Sequence, residues 1–218
     1  MLSLGLSLLE SLHIAAPDLP VSNLPVSTLP GCSGLPAMEF SDPRPVWLVA
    51  PGTTYGEAKT WPLNRVAEFV NLAVRENGAK VVMLGDQGAA DFVAVLRKES
   101  SLNWTEALND NGDVVDLTGR TNLVQVVQVM KSASAFVGND SGLMHLAGAL
   151  GLPTVGIFGS SNPDWTHPLG VRAVAVSAEG FDCRPCYRKT CNQAQFCLET
   201  ISAHTVLDRV HELLVAAD

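Results

Sequence analysis

From residue 46 onward, short apolar runs alternate with stretches in which apolar residues recur every three to four positions. Six runs predict strands: Val46–Ala50, Lys80–Leu84, Val114–Leu117, Ala135–Gly138, Thr154–Phe158 and Ala173–Val176. They are nearly continuous in apolar character, the pattern of strands covered on both faces. Between them the longer period predicts helices over Leu63–Glu76, Ala89–Glu99, Leu123–Lys131 and Gly142–Leu150, with a last one at Ser202–Ala216. This alternation predicts an α/β fold, a doubly wound parallel sheet of Rossmann-like type. Ligands of such sheets sit beyond the carboxyl ends of the strands. The polar turns fall at those ends: Thr53 and Thr54, Gly85 and Asp86, Thr118 to Thr121, Asn139 to Ser141, and Ser160 to Asn162.

Upstream the pattern changes. Met1 to Ala16 is leucine-rich, and residues 17–45 carry Pro17, Pro20, Pro25, Pro30, Pro36, Pro43 and Pro45 among Ser, Gly and Asn. Proline at that density prevents helix and central strand alike, so 17–45 reads as a linker between a short piece, 1–16, and a domain over 46–218. Within the 218 residues, 47% hydrophobic content supplies a core, and 17% charged residues with a mean hydropathy of +0.20 exclude a disordered chain. The net charge of −8, with no Lys/Arg stripe, excludes a duplex nucleic-acid binder. It leaves phosphorylated small molecules, which helix ends and one or two cations meet locally. No apolar run reaches the roughly 18 residues of a membrane span. The leucine-rich start lacks a basic n-region and carries Glu10 and His13, so it does not read as a secretory signal, and a cytoplasmic chain is expected.

The stretch Ser134-Ala-Phe-Val-Gly-Asn-Asp-Ser-Gly-Leu-Met-His145 is the most specific. A strand passes into a helix through a short polar turn, which sets free N–H groups and the positive end of the helix dipole at the sheet edge, an anion site. Asp140 or Ser141 is placed to cap the helix, Gly142 lets a phosphate approach the backbone, and His145 lies in the first turn. The alternative is an ordinary capped helix. A dinucleotide oxidoreductase is disfavoured, because Pro51-Gly-Thr-Thr-Tyr-Gly56 lacks the G-x-G-x-x-G glycine pattern.

Gly138-Asn-Asp-Ser-Gly-Leu-Met-His145-Leu-Ala resembles the donor-site motif of the ADP-heptose:lipopolysaccharide heptosyltransferases, glycosyltransferase family 9. Three further stretches agree in order and spacing. Ala50-Pro-Gly-Thr-Thr-Tyr-Gly-Glu-Ala-Lys59-Thr-Trp-Pro62 resembles that family's PGA-x-x-G-x-AK-x-WP segment. Leu117-Thr-Gly-Arg-Thr121 resembles the stretch bordering the adenine, and Phe158-Gly-Ser-Ser-Asn-Pro-Asp164 the turn after the last core strand. The resemblance runs from about residue 46 to the end and is nearest to the heptosyltransferase II type. It covers only the donor-binding half of such a GT-B enzyme.

The resemblance assigns roles. Thr53 and Thr54 would hold a diphosphate, or simply cap a turn. Lys59 would neutralise the departing diphosphate as a flexible point charge, or stay a solvated surface group. Asp86 or Gln87 would accept from ribose hydroxyls, with Asp86 as a plain helix cap the equal alternative. Thr118, Gly119 and Thr121 would line the base pocket, and Arg120 would be solvated. Backbone N–H groups of Ser141 to Leu143 would take diphosphate oxygens, Asp140 would orient the turn or bind a sugar hydroxyl, and His145 would reach phosphate or heptose. Trp61 would pack the loop against the sheet. The expected ligands are ADP-heptose or ADP.

The family's amino-terminal domain binds the lipopolysaccharide core acceptor and supplies the base. Leu2 to Ile14 resembles the tail of that domain's last helix, and no candidate base stands in the rest of the chain. The reaction implied is an inverting displacement with ADP leaving, and it needs no cofactor. The alternative is a non-catalytic nucleotide-binding module, or one half of a split enzyme. Either would be cytoplasmic or peripheral at the inner face of the inner membrane.

Cys183-Arg-Pro-Cys186, then Cys191 and Cys197, give a CxxC-x4-C-x5-C spacing near the C-terminus. Four thiolates so close together could hold a structural zinc or an iron–sulfur cluster, although the pairs are nearer than in two-knuckle sites. Disulfides, disfavoured in a cytosol, and reduced thiols are the other readings. Following the sixth strand, this loop is expected outside the turns that meet at the ligand site. Cys32 stands alone in the linker.

Overall fold

The structure, a computed structural model, describes residues 40–216; the segment read as 1–16, most of the linker and Cys32 lie outside the described residues. Seven parallel strands form one sheet: β1 (Val46–Ala50), β2 (Lys80–Met83), β3 (Trp104–Thr105), β4 (Val114–Asp116), β5 (Ala135–Asn139), β6 (Thr154–Phe158) and β7 (Ala173–Ser177). The spatial order is β3-β4-β2-β1-β5-β6-β7. The helices are α1 (Leu63–Arg75), α2 (Gln87–Glu99), α3 (Leu123–Lys131), α4 (Gly142–Ala149), α5 (Pro163–Thr166) and α6 (Ala203–Val215). Among the described residues the sheet begins with β1, builds outward through β2 and β4, then returns to lay β5 on the other side of β1. The switch point therefore lies between the carboxyl ends of β1 and β5, where Ala50 pairs with Gly138.

The expected doubly wound sheet is what the chain forms. All five residues of β1 are buried, and they sort by parity. Trp47 and Val49 face a core closed by Val66, Phe69 and Val70 of α1 and Val206, Leu207 and Val210 of α6. Val46, Leu48 and Ala50 face a second core closed by Val126, Val129 and Met130 of α3 and Met144 and Ala147 of α4. The predicted strands and helices are present with ends displaced by one or two residues. The sequence pattern passed over β3, a two-residue edge strand, and α5, a single turn. No helix among the described residues is long and apolar enough to cross a membrane.

At the amino edge of the sheet Lys80 is fully buried. Its ammonium donates to the carbonyls of Leu108 (2.9 Å) and Asp110 (2.6 Å) and lies 3.5 Å from Asp42 Oδ2. Arg44 forks onto Asp42 and reaches Asp113 Oδ1 at 3.0 Å. These bonds from Arg44 hold the Asp42 carboxyl well below the usual carboxylate range, against the opposing effect of its burial. A depressed pKa stabilises the fold at neutral pH, and that contribution drains away as pH falls below the ordinary carboxylate range. Lys80→Met keeps the aliphatic stem but removes the ammonium from the Leu108 and Asp110 carbonyls, while Asp42 retains Arg44. A loss of about 2 kcal/mol in denaturant unfolding is expected. A change within experimental error would show that water replaces the ammonium freely.

Candidate functional site

The loop after β1 runs Pro51-Gly-Thr-Thr-Tyr-Gly56 into a 3-10 turn, Glu57–Lys59, and then Trp61 and Pro62 lead into α1. Asn139, the last residue of β5, is 1% exposed and fixes this loop to the neighbouring strand. Its Nδ2 donates to the Pro51 carbonyl (2.5 Å), and its Oδ1 accepts from the Trp61 amide (3.0 Å). Trp61 packs inward as expected, tilted on Phe69, with Nε1 donating to the Ile201 carbonyl. The loop is thus held at both ends, and Lys59 is aimed from a fixed base.

Lys59 Nζ lies 2.5 Å from Asp140 Oδ2 and 4.8 Å above the centre of the Tyr55 ring. The pair is well sheltered, with side chains 14% and 5% exposed. Asp140 Oδ2 also accepts from Ser161 Oγ at 2.6 Å, and His145 Nε2 stands 3.9 Å from Oδ1. Three strand ends, β1, β5 and β6, therefore meet at one carboxylate. Asn139 and Ser161 were not singled out from sequence. Asn139 lies within the Gly138–His145 motif and Ser161 within a flagged turn, but their partners are far away along the chain.

The structure corrects one expectation: neither Asp140 nor Ser141 caps α4. Ser141 occupies the N-cap position without a side-chain bond, and its Oγ is buried without a hydrogen-bond partner. Asp140 is turned to Lys59 and Ser161 instead. By contrast α2, α3, α5 and α6 are each capped by a side chain, from Asp86, Asn122, Asn162 and Ser202. α4 therefore opens an unsatisfied positive end into the space beside it.

That space is a cleft of about 630 Å³ lined by Thr53, Thr54, Asp86, Thr121, Asp140, Ser141 and Gly142, among others. Its size suits a small organic ligand. Gly52 and Gly85 border it because a Cβ on either would come within 2.5 Å of the Ala89 Cβ, so only glycine lets β1 and β2 end so close to α2. Asp86 caps α2, its Oδ1 accepting from the Ala89 amide, and it also lines the cleft. Gln87, Thr118 and Gly119 line a different hollow together with Arg120 and Glu106. The Thr118 hydroxyl is spent on Asp116 Oδ1 at 2.6 Å, and Arg120 pairs with Glu106. Of the residues assigned to the base pocket, Thr121 alone borders the main cleft.

The cysteine loop packs against two of these turns, although none of its residues lines the main cleft. The Lys189 carbonyl accepts from the Ala58 amide (3.0 Å), and the Tyr187 carbonyl accepts from the Tyr55 hydroxyl. The Tyr187 amide donates to the Ser160 carbonyl (2.9 Å), and Arg184 donates to the carbonyls of Phe158, Gly159 and Ala178. The loop is so close that a Cβ on Gly56, whose φ is +146°, would lie 2.5 Å from the Lys189 oxygen. It thus braces both the turn that carries Lys59 and the turn that carries Ser161. Cys183, Cys186, Cys191 and Cys197 are free thiols, and burial pushes the Cys197 thiol up.

Residues 27–196 match the model of glycosyltransferase family 9 (heptosyltransferase). Lipopolysaccharide heptosyltransferase 2 of Salmonella typhimurium is 35% identical over 141 residues, which are 63% of this chain and 37% of that protein. The solved E. coli ADP-heptose lps heptosyltransferase II superposes with a TM-score of 0.63 at 28% identity, over 80% of this chain and 47% of that one. E. coli heptosyltransferase WaaC with ADP, 20% identical, shares the fold with a TM-score of 0.61 over 79% of this chain and 45% of that one. The chain thus spans between a third and a half of the length of the relatives it matches. With the motifs at the switch point and the family model covering most of its length, the chain belongs to glycosyltransferase family 9, the heptosyltransferases.

Proposed function

We propose that this chain binds ADP-heptose in the cleft between β1 and β5 and serves as the donor side of heptose transfer to the lipopolysaccharide inner core. The observation that carries this reading is the uncapped start of α4, with the unpartnered Ser141 hydroxyl, opening into a cleft lined by Asp140, the partner of Lys59. Buried donors without acceptors cost free energy, so a site that retains them suits an anionic ligand. The likeness to an enzyme described as acting with ADP-heptose supports the same nucleotide sugar here.

In the reaction, an acceptor hydroxyl attacks the anomeric carbon from the face opposite the diphosphate. The new C–O bond forms as the bond to the diphosphate oxygen breaks, and its electron pair leaves with ADP. The acceptor proton passes to a base. Lys59 and the amides of Ser141, Gly142 and Leu143 are placed to meet the charge that grows on the leaving diphosphate. Thr53 and Thr54, which line the same cleft, add hydroxyls, and Asp86 faces the ribose. Calorimetry on the purified chain tests the reading: ADP and ADP-heptose are expected to bind and NAD is not. Absence of heat with both ADP ligands, or equal affinity for NAD, would overturn it.

A further inference from the structure

Nineteen residues between β7 and the 3-10 turn at Cys197–Thr200 have no regular secondary structure. Fixing that much backbone costs roughly 1–2 kcal/mol per residue. The loop nevertheless makes the bonds that brace the Lys59 and Ser161 turns. Few of its side chains reach the core; Phe181 and Phe196 pack only at its margin. Long structureless loops inside compact domains ordinarily need a staple or serve a function.

All four free cysteines of the loop line one hollow of about 20 Å³, together with Arg184 and Arg188. That is room for one atom-sized occupant. Cys197 is buried and opens a 3-10 turn whose Leu198 is fully in the core, so one wall is rigid. The other three thiols sit on irregular backbone. Among the described residues no three Cys, His, Asp or Glu side chains stand already gathered as a metal site. An occupant must therefore draw the thiols of residues 183, 186 and 191 inward toward Cys197, which backbone free of helix or strand permits.

We propose that Cys183, Cys186, Cys191 and Cys197 bind one thiophilic divalent metal ion, zinc or iron, which locks the loop against the donor cleft. Four sulfur ligands suit a tetrahedral ion of this class. On binding, each S–H bond breaks, the proton goes to solvent and the sulfur lone pair goes to the metal. The tetrathiolate carries two net negative charges, which Arg184 and Arg188 offset from the rim of the hollow. With the ion in place, the Lys189 carbonyl holds the Ala58 amide, and Tyr187 holds Tyr55, directly beside Lys59. The metal site stands on its own observations; its effect on ADP rests on the proposed reading of the cleft.

The test uses the full chain, purified without added metal. Elemental mass spectrometry is expected to find about one zinc or iron per chain, and cobalt(II) exchanged into the site should show thiolate-to-cobalt charge-transfer absorption. Cys186→Ser and Cys191→Ser should each lose the metal. Hydrogen exchange, read on the wild-type chain before and after chelation, covers the event that the variants do not fold. The Ala58 and Tyr187 amides should lose protection on metal removal, while β5 amides keep theirs. ADP affinity should fall by about fivefold or more, the low end of ordinary coupling between sites. Loss of protection without any ADP binding would sink the donor reading and leave the metal site standing. A metal-free chain whose four thiols all alkylate under native conditions, one that carries disulfides, or a doubly substituted chain that retains stoichiometric metal would overturn the proposal.

Discussion

Lys59→Ala is expected to weaken ADP binding by about 3 kcal/mol, near the top of the range for a charged hydrogen bond. Two effects act in the same direction. The ammonium that meets the diphosphate is lost, and Asp140 loses the cation 2.5 Å from its Oδ2. A carboxylate only 5% exposed would then face the incoming diphosphate with Ser161 and the more distant His145 as its remaining polar partners. The second effect is separable. Adding Asp140→Asn to Lys59→Ala removes the like charge, so the double variant should bind ADP better than Lys59→Ala alone. Non-additivity is expected for groups in direct contact. Calorimetry measures the affinities, and thermal melts establish that the variants are folded. Unchanged affinity in a folded Lys59→Ala protein would remove the residue from the site. A double variant no better than the single one would instead show that Asp140 does not face the ligand.

What was legible beforehand follows from what repeats along a chain. β1, β2, β5 and β6 are buried on both faces, so they stand out as unbroken apolar runs. Trp104–Thr105 lies at the sheet edge among Ser, Asn and Glu, and two residues give no run to read. The polar turns were legible because topology alone puts ligands beyond carboxyl strand ends. The partners of those turns were not. Lys59 meets Asp140 across 81 positions, and Tyr55 meets Tyr187 across 132. Such pairings depend on the path of irregular backbone, which has no period. The same reason hid the contacts of the cysteine loop: its position after the last strand said nothing about its bonds to the turn after the first. The uncapped α4 was hidden differently. Asp140-Ser141 reads as a good cap, and only the competing claim of Lys59 on Asp140, with Ser141 Oγ left unbonded, shows otherwise.

The 218 residues expressed by themselves are expected to bind ADP-heptose yet show no acceptor-dependent transfer. Transfer needs the acceptor hydroxyl held in line with the anomeric carbon, worth about 7–11 kcal/mol of barrier. It also needs a base for the hydroxyl proton, worth roughly 10²–10⁴-fold. Among the described residues two carboxylates line the cleft, and both are committed. Asp86 caps α2 through the Ala89 amide, and Asp140 is held by Lys59 and Ser161. Asp140 Oδ2 already meets Lys59 Nζ and Ser161 Oγ, so that oxygen is not free to reach an acceptor hydroxyl. Drawing Asp140 away as a base would also release Lys59 from the position in which it meets the diphosphate. The base and the acceptor surface are therefore expected from protein outside this sheet, in keeping with relatives about twice as long as the stretch they share with this chain. Slow donor hydrolysis is consistent with the proposed reading, in which Lys59 and the α4 amides meet the leaving diphosphate. Following ADP release with and without a core lipopolysaccharide acceptor decides the matter. Equal slow release in both is the expected result. Turnover that rises with acceptor to ordinary enzymatic rates would place the base on this chain, with Asp140→Asn the first variant to identify it.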